Sequence, residues 1–166
     1  MPKLTRKLLA LLTLLLALTV LSAGVASGAP HGTDRPFRSS GPAAVTVDLN
    51  AGLEISIAGT LNATHMGRTA WVAEVTSVDL GATITVDYES TLTAANGDTL
   101  TTEAVGVIDG AAFTFTGTEQ ITGGTGRFAG ATGSFVLSGA ITVLNEGGPG
   151  IIEIPLNVSA NGRISY

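Results

Sequence analysis

Glu119 is the residue best placed to do chemistry. In Phe113-Thr-Phe115-Thr-Gly117-Thr-Glu119-Gln-Ile121 apolar and polar residues alternate. A period of two puts Glu119 on the face of Phe113, Phe115 and Ile121, with Thr114, Thr116 and Thr118 on the other. If the apolar face is the interior, a carboxylate points inward. Burying it unpaired is costly, so it should find a cation or be held protonated by a raised pKa. Arg68 is the expected partner, one of only three arginines within the strand-patterned part, and Arg127 could instead close one end of the fold. A carboxyl among Trp71, Tyr88, Phe113 and Phe115 would be a polar anchor in an apolar pocket. It is also the one candidate for an acid–base role. The plainer alternative is a hydrated Glu119 near the mouth of the fold.

Other chemistries find little support. His65 is the only histidine beyond the N-terminal region, and no Gly-x-Ser-x-Gly elbow accompanies it, so a serine-type triad lacks its parts. It reads as a hydrogen-bonded structural residue. One histidine and dispersed carboxylates do not make a metal cluster, so no metal is expected. Gly124-Thr-Gly126-Arg-Phe-Ala129 fits the Gly-x-Gly-x-x-Ala dinucleotide pattern, but that fingerprint needs a following helix within a βαβ unit. The residues after Gly133 are strand-patterned instead, and no cofactor is expected. No lysine lies beyond residue 7, which removes a Walker-type loop.

The elements that would hold Glu119 read as strands. Ala43-Val45-Val47-Leu49 and Leu53-Ile55-Ile57 alternate with polar residues around an Asn50-Ala-Gly52 turn, a hairpin pattern. Thr64–Val78 surrounds Trp71, and Ile84-Val86-Tyr88 alternates with Thr85, Asp87 and Glu89, which read as solvent-facing. Ala95-Asn-Gly-Asp98 turns the chain into Thr99–Ile108, and Asp109-Gly110 turns it into Ala111–Ile121. A glycine-dense loop over 122–133 leads to Ser134–Leu144. Ile152-Ile154-Leu156-Val158 follows a Glu-Gly-Gly-Pro-Gly connector, and an Asn161-Gly162 turn comes last. About eight strands on short connections imply antiparallel neighbours. The internal glycines Gly59, Gly106, Gly117 and Gly139 permit the coiling that closes a sheet. The fold expected is an all-β, eight-stranded antiparallel barrel, with a two-sheet sandwich as the alternative.

Ahead of this lies Lys3, Arg6 and Lys7, an apolar run from Leu8 to Leu21, and small residues to Ala29. That is the pattern of a secretory signal peptide cleaved between Ala26 and Pro30, and it implies a secreted or extracytoplasmic protein with no stable membrane anchor in the mature form. The polar, proline-bearing stretch 30–42 reads as a flexible linker, leaving 43–166 as the barrel domain. The absence of cysteine removes disulfides, thiol chemistry and a lipoprotein anchor. Three of the eight basic residues belong to the leader, so five arginines face thirteen carboxylates. Such a surface repels nucleic acid and anionic lipid. An outer-membrane barrel would need aromatic girdles, for which the aromatics are too few. Asn62-Ala-Thr64 and Asn157-Val-Ser159 match the glycan acceptor pattern, but both lie in or beside strands and read as chance matches.

The glycine loop carries a resemblance. Gly123, Gly124, Thr125, Gly126, Phe128, Gly130, Ala131 and Gly133 resemble the loop before a late strand in the allene oxide cyclase and dirigent barrels. With Thr64-His-Met-Gly-Arg68 and Asn96-Gly-Asp98, they are also similar to exported bacterial proteins without assigned activity. The resemblance implies an eight-stranded barrel that holds a small apolar or phenolic molecule, often as a homotrimer. The catalytic residues of those families match no positions here. Three functions follow as expectations. One is a secreted barrel binding or orienting a small apolar or aromatic molecule, with Arg68, Trp71, Tyr88, Phe113, Phe115 and Glu119 at the site. A second is an isomerase or cyclase using Glu119. A third is a structural or surface-interaction protein with a filled interior.

Overall fold

The computed structural model describes residues 33–52, 54–80, 83–141 and 145–166. The expected leader, residues 1–29, and residues 30–32 lie outside the described residues. The strands are β1 (Arg35–Asp48), β2 (Glu54–Ala63), β3 (Gly67–Leu80), β4 (Ile84–Ala94), β5 (Thr99–Asp109), β6 (Thr114–Gly124), β7 (Thr132–Ile141), β8 (Asn145–Gly148) and β9 (Ile151–Ser165), with a 3₁₀ turn at Gly126–Phe128. β1 to β7 pair antiparallel in chain order, β9 follows β7, and β9 pairs back onto β1 along its whole length. The short β8 lies on the end of β9 beyond β7. Eight strands therefore close into an antiparallel barrel, and the β1–β9 ladder rules out the sandwich.

The strands are steeply tilted. Following paired residues once around, from Val45 through Ile57, Ala73, Ser90, Thr102, Ile121, Gly133 and Ile164, returns the path to Arg35, ten residues away on β1. An eight-stranded barrel has room inside for its own side chains or for one small ligand.

Three readings of the chain need correction. The linker expected over 30–42 is strand from Arg35 onward, and Phe37 is fully buried. Its prolines are tolerated because of where they fall. Pro36 precedes the start of pairing with β2 at Ser39, and Pro42 sits where that pairing lapses, between Ser40 and Ala43. Asn161-Gly162 is not a turn but the middle of a ladder. Gly162 is there because a Cβ would lie 2.2 Å from the Ser134 carbonyl oxygen of β7. Asp109-Gly110 opens a wider turn than a two-residue hairpin. Asp109 Oδ1 accepts the backbone N–H groups of Ala111 and Ala112, and the chain reaches β6 only at Thr114.

The two ends of the barrel are built differently. One end is plugged. The glycine loop folds its 3₁₀ turn over the opening and carries Phe128, fully buried, into the same core cluster as Phe37, Met66, Ile164 and Leu100. Phe37 packs on Phe135 with ring centroids 4.7 Å apart, and Phe128 meets Tyr166 edge-on at 5.0 Å. The loop is tied to the β4–β5 turn. Thr125 N–H donates to the Thr99 carbonyl at 2.9 Å, Thr99 N–H donates to Thr125 Oγ1 at 3.0 Å, and Arg127 lies 3.4 Å from the Asp98 carboxylate. Gly126 has a φ of +58°, and a Cβ there would lie 1.8 Å from Asp98 Oδ1. Only glycine satisfies both conditions. Among the described residues the opposite end has no such plug.

Candidate functional site

At the open end, inward side chains of β1 to β7 and β9 surround a cavity of about 420 Å³. Among the described residues its wall is entirely apolar. Val45, Val47, Ile55, Ile57 and Ile154 line one side and Ile84, Val86 and Ile108 another, with Trp71 and Phe115 deepest. β-Branched residues suit strand positions, and their two Cβ substituents fill the wall without reaching the barrel axis. The deep aromatics are seated by glycine. A Cβ at Gly106 would lie 2.4 Å from the Phe115 ring, so its absence lets that ring approach β5 closely. Around the mouth, Leu49, Leu80 and Phe113 each present an exposed apolar side chain from a different turn region.

Away from the mouth, toward the plug, lies the buried carboxyl. Glu119 is 1% exposed and accepts three hydroxyls: Tyr88 at 3.1 Å on Oε1, and Thr102 at 2.6 Å and Ser90 at 3.2 Å on Oε2. Ser90 and Thr102 are themselves 2.7 Å apart, facing each other across the β4–β5 ladder. Gly117 makes the arrangement fit, since a Cβ there would lie 2.5 Å from the Tyr88 hydroxyl oxygen. Burial pushes the Glu119 carboxyl above its ordinary range, against the hydrogen bonds from Thr102, Tyr88 and Ser90, which pull it down. Burial, then the Glu119 charge and hydrogen bond, hold the Tyr88 phenol well above its usual value. With hydroxyl partners alone and no cation, the group is best accommodated as a neutral acid.

The structure gathers part of the expected site. Trp71 and Phe115 line the cavity, while Tyr88 and Glu119 lie buried outside its lining. Arg68 is not the partner of Glu119. It shares the outward parity of Ala70 and Val72 on β3, whereas Thr69, Trp71 and Ala73 point inward. Phe113 is also on the wrong side. Its φ of +54° breaks the alternation before β6 begins, and the ring is 59% exposed. The end-closing role considered for Arg127 falls to its neighbour Phe128, over whose ring the guanidinium carbon sits at 5.1 Å. His65 lies in the β2–β3 turn rather than in a strand, with φ +67°, and its Nε2 is 3.0 Å from the Pro36 carbonyl oxygen. Ser90 and Thr102 were missed. Their signal was parity, in step with Tyr88 and Leu92 on β4 and with Leu100 and Ala104 on β5.

Chemically, the cavity offers contact and exclusion of water but, among the described residues, no nucleophile, acid or base on its wall. Glu119, the one interior acid among the described residues, is separated from it by packed side chains, with the Tyr88 and Phe115 ring centroids 6.0 Å apart. No group of three or more potential metal ligands occurs among the described residues. Comparison with protein-family models, curated proteins and solved structures returns no match for this chain.

Proposed function

We propose that this is an exported barrel of the allene oxide cyclase and dirigent kind that holds one small apolar or aromatic molecule at its open end. The observation that carries the reading is the half-filled interior. One half is filled by buried side chains around Phe128, while the other leaves a cavity of about 420 Å³ walled, among the described residues, only by hydrocarbon and aromatic surface. That size falls within the range of small-molecule sites, which run from about 300 to 1,000 Å³. An empty apolar cavity forgoes dispersion contacts that a ligand restores. Binding is favoured over catalysis because Glu119 is outside the cavity lining and fully engaged with hydroxyls.

The chain's only tryptophan, Trp71, sits in the cavity wall and reports directly on occupancy. Naphthalene and decanol, titrated separately and followed by Trp71 emission and native mass spectrometry, are expected to bind one molecule per barrel. A doubly filled variant, Val45→Phe with Ile154→Phe, is expected to lose that uptake while keeping the barrel's circular dichroism. If neither probe binds the parent protein, the filled-shell reading takes its place.

A further inference from the structure

Among the described residues the cavity wall carries no polar group, so its choice among ligands of equal shape falls to the field at its mouth. That field is one-sided. From residue 33 onward the chain contains five arginines and no lysine, and the fold carries all five to the plugged end. Arg35 and Arg38 begin β1, Arg68 begins β3, Arg127 lies in the 3₁₀ turn and Arg163 ends β9. Two carboxylates at that end are paired, Asp34 with Arg163 and Asp98 with Arg127. The open end carries Asp48, Glu54, Asp79, Asp109 and Glu153 at the strand ends, with no cation among the described residues there. Asp48 and Asp109 cap the backbone of their turns, whereas Glu54, Asp79 and Glu153 are exposed side chains outside the cavity lining.

We propose that this acidic collar makes the cavity charge-selective: it admits apolar molecules whose head group is neutral or cationic and disfavours those that end in a carboxylate or another anion. The inference rests on the binding reading above and adds the ligand class to it. A molecule with its tail against Trp71 and Phe115 leaves its head at the mouth, within reach of several like charges. Each pair interacts weakly through water, but charges of one sign add, and low-dielectric walls focus their field into an opening.

The test uses three probes with one tail, decanol, decylamine and decanoate, at pH 7.5 and below their micelle concentrations. Binding is read from Trp71 emission and counted only where the Val45→Phe, Ile154→Phe variant abolishes it. At low ionic strength decylamine is expected to bind about tenfold tighter than decanoate, with decanol between them. In about 1 M salt, where screening acts within about 3 Å, the three should converge to within about twofold. Glu54→Gln with Asp79→Asn and Glu153→Gln should narrow the amine-to-carboxylate ratio to about threefold or less. Decanol bound with decanoate equal to or tighter than decylamine overturns the charge selection and leaves the binding reading standing. An undiminished ratio in the triple variant also overturns it, because the preference would then not come from the collar. Failure of decanol itself to bind removes the binding reading, and the selectivity with it.

Discussion

The plugged and open ends of the barrel use the same strands but opposite chemistry. At the plugged end a glycine-rich loop brings backbone close to backbone and seats large aromatic side chains on the axis. At the open end β-branched side chains stop short of the axis and leave space. The plug is stabilised by contacts that depend on one another, whereas the open end is a wall whose members act independently. Stability and cavity are therefore assigned to different ends, and substitutions should sort accordingly.

The sharpest way to break this contrast is Phe128→Ala against Leu80→Ala. Removing the fully buried Phe128 ring is expected to cost about 3–5 kcal/mol in chemical denaturation. Leu80, 75% exposed at the open end, should change stability by no more than about 0.5 kcal/mol. Similar costs at both positions would mean that the plug is not the stabilising element.

Next in size, Gly126→Ala and Gly130→Ala separate strain from collision inside one loop. Both glycines have positive φ, but a Cβ at Gly126 runs into Asp98 while one at Gly130 meets open space. Left-handed backbone alone costs roughly 1–2 kcal/mol, so Gly130→Ala should lose about that much and Gly126→Ala distinctly more. Equal losses would remove the Asp98 contact from the account.

Between the two ends, Glu119→Gln tests the interior acid. Because the folded-state pKa lies above the ordinary 4.5, the wild-type barrel keeps this stabilisation below about that pH and loses it as pH rises through the raised value. Gln cannot ionise. Thermal melts should show wild type falling relative to Glu119→Gln as pH rises from about 4.5 through the raised value, and parallel curves would count against a neutral Glu119. The smallest effect is expected at the cavity: Val45→Phe should stabilise by about 0.5–1 kcal/mol through filling it, and destabilisation would mean that the space is not there to fill.

Much of the fold was legible because strand alternation, Asn-Gly turns and short connections are local properties. The hairpin around Asn50–Gly52, the turn at Ala95–Asp98 and the eight-stranded antiparallel barrel all appear as expected. Phe37 was hidden because proline-bearing polar sequence reads as linker until the partner strand is known. For the site, parity placed Glu119 inward and, applied strictly to β3, would have sent Arg68 outward, since it is out of step with Trp71. Phe113 failed for a different reason. A turn residue at φ +54° does not inherit the parity of the strand that follows.

Taken alone, the order of residues determined the alternation that puts Glu119 on the face of Phe115 and Ile121, and the turns at Asn50–Gly52 and Ala95–Asp98, because each depends on spacing within a single strand or turn. Only the closed barrel decided what those side chains meet. Hydroxyls from β4 and β5 reached Glu119 where a cation was expected, one end was stoppered by Phe128, and all five arginines of the barrel were gathered at that end, leaving the carboxylates of the other end without them. Those outcomes depend on tilt and register between strands distant in sequence, which no local pattern encodes.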